Sequence, residues 1–141
     1  MVARRAYEYM KSEYLSDEGY ALMGAAFEVH QELNGGLYEE IYQESLEHEL
    51  GLRKIPFLTK AELKVYYKGH LLNKRYIPDL EVSGEIITEL KSVKSLTPEH
   101  EQQLLNYMRI TKKAVGYLIN FGPMKYLEWK RYILEEYIPT N

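Results

Sequence analysis

The chain has 141 residues, 28% of them charged and 45% hydrophobic, with eighteen basic and twenty-one acidic side chains and no cysteine. That composition argues against disorder and excludes disulfides, thiolate metal sites and cysteine nucleophiles. No apolar run approaches the roughly 18 residues a membrane span needs, and Arg4 and Arg5 have no apolar block after them to make a secretory signal. The expectation is a soluble, cytoplasmic, single-domain protein over residues 1–141 that does not engage membranes. The charge is divided: residues 1–50 carry a net of −8 and residues 51–134 a net of +7. Such asymmetry fits a nucleic-acid partner, and equally a glutamate-rich helix pair beside a lysine-rich sheet.

In chain order, Ser16 or Asp17 caps a helix that runs to Leu33, with Leu22, Ala25, Ala26, Val29 and Leu33 at helical spacing. Asn34-Gly35-Gly36 stops it, and a second helix spans about Leu37 to Leu50, ended by Gly51. The period then changes to two. Leu63, Val65 and Tyr67 mark a half-buried strand, Lys68-Gly69 a tight turn, and a second strand covers roughly His70–Val82. Ser83-Gly84 turns into a third strand, Glu85–Val93. Thr97 caps the next helix with Pro98 at its first position. Ala114–Ile119 suits a buried strand and Tyr126–Leu134 an edge strand. The order ααβββαββ predicts an α/β fold around a mixed sheet.

The residues that carry chemistry lie on the second hairpin, in Ile77-Pro78-Asp79-Leu80 and Thr88-Glu89-Leu90-Lys91. Glu89 and Lys91, two apart on a strand, share a face. Asp79 joins them only in one register. A two-residue Ser83-Gly84 loop pairs Val82 with Glu85 and turns Asp79 to the wrong side; a three-residue loop over 82–84 pairs Asp79 with Ile87 and brings it to theirs. Gly84 supplies the positive φ that three-residue loops use, and a bulge near Pro78 would also shift the phase.

Asp79 and Glu89 are hard oxygen ligands suited to Mg²⁺ or Mn²⁺, which would lower the pKa of a bound water and offset charge on a phosphate. Lys91 would hold the water or the phosphate through its ammonium. That combination suits phosphodiester cleavage. For a bare E-x-K, the alternative is an exposed ion pair contributing under about 1 kcal/mol.

Six segments in this order resemble the GxxExxY family of the PD-(D/E)XK nuclease superfamily: GLYEEIY at 36–42, YKG at 67–69, IPDLEV at 77–82, ITELKSV at 87–93, EHEQQLLNYM at 99–108 and GYLINFG at 116–122. The resemblance covers about residues 17–134 and leaves 1–16 and 135–141 as terminal extensions. It implies a restriction-endonuclease-like core, a mixed central sheet flanked by helices, with a Mg²⁺ or Mn²⁺ site at Asp79, Glu89 and Lys91. It also implies that Glu39 reaches the metal through water and that Gln103 orients lysine, water or phosphate. His100 and Tyr107 lie one turn either side of Gln103, on the same face, and with Tyr42 of the first motif they are candidate neighbours of the site. Where the family has glutamine near the start of the first strand this chain has Lys60, a departure expected to concern sheet-edge or substrate contacts and not the metal.

The function expected is metal-dependent hydrolysis of DNA, with RNA second. Lys68, Lys74, Arg75, Lys94, Arg109, Lys112 and Lys113 are candidate backbone contacts, and a homodimer is one way to cut both strands. The alternatives are a non-catalytic module that binds nucleic acid or protein through the same fold, and a resolvase of branched DNA. The four histidines show no metal-ligand spacing, and no phosphate-binding glycine loop or G-x-S-x-G elbow is present.

Overall fold

The structure is a computed structural model that describes residues 13–140. Most of the expected N-terminal extension, with Arg4 and Arg5, lies outside the described residues. Helix α1 spans Ser16–Leu33 and α2 spans Glu39–Leu52. Strands follow at Phe57–Thr59 (β1), Leu63–Tyr67 (β2), His70–Tyr76 (β3), Leu80–Val82 (β4) and Ile86–Lys91 (β5). Helix α3 covers Pro98–Thr111, β6 Val115–Asn120 and β7 Glu128–Ile133, and a short 3₁₀ turn covers Glu135–Tyr137. Among the described residues no helix is long and apolar enough to cross a membrane.

One five-stranded sheet has the order β1-β4-β5-β6-β7, while β2 and β3 form a separate two-stranded ribbon. Among the described residues only β5 and β6 pair in parallel, joined by the α3 crossover. Helices α1 and α2 cover one face through Leu22, Ala26, Tyr42, Leu46 and Leu50 against Leu80, Ile86, Leu90, Tyr117 and Ile119. Helix α3 covers the other with Leu104 and Met108 over Ile87 and Leu118. It can sit that close because β6 has Gly116 beneath it, where a Cβ would stand 2.4 Å from the Met108 sulfur. This is a restriction-endonuclease-like arrangement, as expected.

The element order is ααβββββαββ and departs from the expected one in two places. The anticipated strand His70–Val82 is two strands in two sheets. Pro78 has no N–H to give a ladder and restricts Ile77 before it, so pairing ends at Tyr76 and resumes at Leu80. Strand β1, three residues with Leu58 largely exposed, is too short to show a period.

Smaller corrections concern helix ends. α1 already includes Ser16, whose hydroxyl donates to the Glu13 carboxylate at 3.2 Å and does not cap the helix. α2 passes through Gly51 to Leu52, and Lys54 takes the left-handed φ of 59° that reverses the chain. The cap of α3 is as expected. Thr97 Oγ1 accepts the His100 N–H at 3.3 Å, and His100 Nδ1 accepts the Thr97 N–H at 3.1 Å.

Candidate functional site

Register decides whether the two acids meet, and the observed register is neither of the two anticipated. Val82 pairs with Ile86 and Leu80 with Thr88. Ser83 and Gly84 both adopt positive φ, 54° and 75°, and the Glu85 N–H donates to the Val82 carbonyl at 3.2 Å. Glu85 is then left over before the ladder begins, and this extra residue shifts the phase by one. Extending the ladder one step puts Asp79 across from Glu89. β1 extends the same row: Thr59 pairs with Leu80, and the Lys60 N–H donates to the Asp79 carbonyl at 3.3 Å. Lys60, Asp79 and Glu89 thus lie side by side, with Lys91 two residues beyond Glu89 on the face toward α3.

Hydrogen bonds hold the acids. Asp79 Oδ2 accepts the Leu90 N–H at 2.8 Å, and its main-chain carbonyl accepts from Gln43 Nε2 of α2 at 2.9 Å. Gln43 also donates to Glu47 at 2.7 Å, so its amide is fixed. Glu89 accepts hydrogen bonds from the Tyr76 hydroxyl and from the main chain of Asp79. The Tyr76 ring stacks on Tyr107 at 3.7 Å between centroids, and Gln103 Nε2 donates to the Tyr107 hydroxyl at 3.1 Å. A continuous chain therefore runs from Gln103 on α3 to the Glu89 carboxylate.

The electrostatics record crowding of like charge. Burial, then the charge of Asp79, pushes the Glu89 carboxyl up to about 7, against opposing pulls from the Tyr76 hydroxyl, the Asp79 main chain and Lys91. Glu39, at the start of α2, is also raised, by partial desolvation and then by Asp79, while Lys91 and Lys60 pull it down. Tyr76 is raised by burial and by the Glu89 charge, so it stays a donor. Three acids thus share the field of two ammonium groups.

That donor set fits a hard divalent cation. Two carboxylate ligands with the remaining positions left to water is the usual habit of Mg²⁺. Among the described residues no three His, Cys, Asp or Glu side chains gather into a group that could hold an ion. The residues here that could offer oxygen to one are Asp79 and Glu89, with Glu39 on the neighbouring helix.

The remaining expected residues fall into place unevenly. His100 spends Nδ1 on the helix cap. Tyr42 is fully buried, stacked on Phe121 at 4.7 Å. Its hydroxyl donates to the Asn34 carbonyl and accepts the Leu37 N–H, which fixes the turn ahead of Glu39. Lys94 follows β5 at the site end of the sheet, and Lys74 and Arg75 precede Tyr76. Lys68 is at the tip of the β2–β3 ribbon, over the Tyr67 ring. Lys113 donates to the Gly84 carbonyl at 3.2 Å. With about 3.3 Å per residue along β5, that anchors Lys113 roughly 20 Å from Lys91. Arg109 and Lys112 lie at that end of α3 too, so these three are not grouped with the acids.

Sequence reasoning missed three residues and set a fourth, Lys60, apart from the acids. Gln43 follows Glu39 by four positions on one helix face, a visible signal. Tyr76 had none, because its role depends on the break at Pro78. Asn120 pairs with Lys91 in the β5–β6 ladder; it holds the Val93 N–H and carbonyl at 2.9 and 3.0 Å and fixes the exit from β5. Its signal is a polar residue ending an apolar run. Lys60 was expected to stay clear of the metal site, yet its Nζ lies 3.7 Å from Asp79 Oδ1, because β1 is the strand next to β4.

Comparison with known proteins agrees with this architecture. The crystal structure of SSO0001 superposes with a TM-score of 0.51 at 17% identity, over 88% of this chain and 62% of that one. The chain thus spans under two-thirds of that protein, and the likeness is one of fold. No curated protein matches. The family model for the PD-(D/E)XK nuclease superfamily matches residues 16–132, most of the chain. On that match, and with the sheet just described, the chain belongs to the PD-(D/E)XK nuclease superfamily.

Proposed function

We propose that the chain is a metal-dependent nuclease of the GxxExxY group that hydrolyses phosphodiester bonds, in DNA ahead of RNA, as one nuclease-like domain. The observation that carries this reading is the meeting of Asp79 and Glu89 across one hairpin, with the Glu89 carboxyl raised to about 7 and Lys91 on the same strand face. Crowded carboxylates with an ammonium beside them are costly in a protein that makes no use of them.

Asp79 and Glu89 would hold Mg²⁺ or Mn²⁺, which supplies Lewis acidity toward water and phosphate oxygens. Leu90 N–H and Gln43 keep Asp79 in place, and Tyr76 keeps Glu89 in place. Lys91 holds the attacking water or a phosphate oxygen. Glu39 would orient water beside the ion, and Gln103 steadies Tyr107 and, through it, Tyr76. Lys74, Arg75 and Lys94 are the backbone contacts best placed to bring a strand to this end of the sheet, with Lys68 further along the ribbon. Cutting both strands calls for two copies or two binding events.

Cleavage assays with Mg²⁺ on linear, nicked, single-stranded and branched DNA, and on RNA, test this. Turnover that falls in Lys91→Ala is expected; a preference for branched DNA would make it a resolvase. Turnover unchanged in Lys91→Ala would overturn the roles assigned.

One feature favours a second reading, a binding module without catalysis: the Lys60 ammonium already stands beside Asp79. Mn²⁺ binding to the wild type without turnover on any substrate would favour it.

A further inference from the structure

Asp79 has a neighbour on each side in its row, Glu89 on β5 and Lys60 just past β1. We propose that Lys60 is a second phosphate-binding ammonium of this site, working from the β1 side of Asp79 while Lys91 works from the β5 side. The proposal rests on the nuclease reading and names the group that takes a non-bridging oxygen of the scissile phosphodiester.

Four observations carry it. The Lys60 main chain is fixed to Asp79 by its N–H, at 3.3 Å, so its position in the row is set by the backbone. Its Nζ stands 3.7 Å from Asp79 Oδ1, near enough to feel the carboxylate but beyond an ordinary hydrogen bond. The other oxygen of Asp79 is occupied by the Leu90 N–H. The Lys60 side chain is 60% exposed, so its donors are open to an arriving anion.

The space is there as well. Glu39, Glu40, Gln43 and Lys60 line an open depression of about 300 Å³ beside Asp79. A phosphodiester drawn toward the acids meets four carboxylates, those of Asp79, Glu89, Glu39 and Glu40, and a single ammonium at Lys91 leaves its far side facing like charge. A second ammonium there offsets that repulsion and holds the phosphate in line. In the reaction, water adds to phosphorus, the bond to the leaving oxygen breaks, and that oxygen takes up a proton; Lys60 forms no covalent bond and gives up none of its protons. A simple ion pair is the competing account, and it makes a different forecast, because removing a cation from beside Asp79 would then only favour metal binding.

The test uses the full chain with Lys60→Gln and Lys60→Arg. Mn²⁺ affinity is read by calorimetry, turnover at saturating Mg²⁺ on the best substrate, and the salt dependence of DNA binding in Ca²⁺. Lys60→Gln is expected to bind Mn²⁺ at least as tightly as the wild type and to lose roughly 10- to 100-fold in turnover. The slope of log affinity against log salt should fall by about one, and Lys60→Arg should recover part of both losses. Wild-type turnover in Lys60→Gln at saturating Mg²⁺ would overturn the proposal, as would lost Mn²⁺ affinity, which would make Lys60 a support for Asp79. If the wild type neither binds Mn²⁺ nor cleaves, the nuclease reading fails. The salt slope then decides for Lys60 alone: unchanged in Lys60→Gln, it rejects a phosphate contact, and reduced by about one it upholds it.

Discussion

The two faces of the five-stranded sheet are built from alternate residues of the same strands and behave differently. Toward α1 and α2, β5 presents Ile86, Thr88 and Leu90, all fully buried, in a layer closed by Leu46, Leu50 and Tyr42. Toward α3 it presents Ile87, then Glu89 and Lys91, and the apolar packing of Leu104, Met108 and Leu118 covers only part of that face. The first face is filled by hydrophobic burial along its length; the second is apolar at one end and charged at the other. A single strand can therefore anchor the core and carry the chemistry, provided its register does not slip.

Variants that separate the faces sharpen this contrast. The largest expected effect is on turnover: Lys91→Ala should lose about 10²- to 10³-fold at saturating Mg²⁺ while keeping its thermal midpoint. One position away on the same strand, Leu90→Ala should cost about 2–5 kcal/mol in denaturant unfolding, because it opens a cavity under α1 and α2. Similar destabilisation by both would break the division.

The third test is pH dependence in chelator. Glu89 has a folded pKa of about 7 against 4.5 for the free group, so between those values the folded state binds more protons than the unfolded. Stability in this window should fall as pH rises, with the favourable contribution complete below about 4.5 and lost by the time pH passes 7. Glu89→Gln should flatten that slope, and an unchanged slope in chemical denaturation at pH 5, 6, 7 and 8 would count against the crowding of the acids. The smallest effect belongs to Tyr76→Phe. Without the hydroxyl, the Glu89 carboxylate loses a hydrogen bond and its pKa should rise further, by roughly one unit, in an NMR titration.

How far the sequence carried these features depends on their range. Helices with strong apolar spacing, the Lys68-Gly69 turn, the Thr97-Pro98 start and the buried strand expected over Ala114–Ile119, observed as Val115–Asn120, are all local, and all are present. The fault lines are non-local. Pro78 was visible as a disturbance, but only the packing of two sheets turns it into a break that releases Tyr76 toward Glu89. The hairpin register depended on Ser83 taking a positive φ, for which serine gives little signal. Asp79 and Glu89 were nonetheless expected to share a side, because two different phase shifts have the same parity. The sheet-edge position of Lys60 is legible in the sequence, but its approach to Asp79 is not, because that depends on a three-residue strand lying beside β4.

The most direct test of the central claim is calorimetric titration of Mn²⁺ into the wild type and Asp79→Asn. The wild type is expected to bind an ion and the variant to lose that binding while staying folded by circular dichroism. A wild type that takes up no Mn²⁺, or an Asp79→Asn protein that binds it equally well, would contradict the claim that Asp79 and Glu89 hold a metal between them.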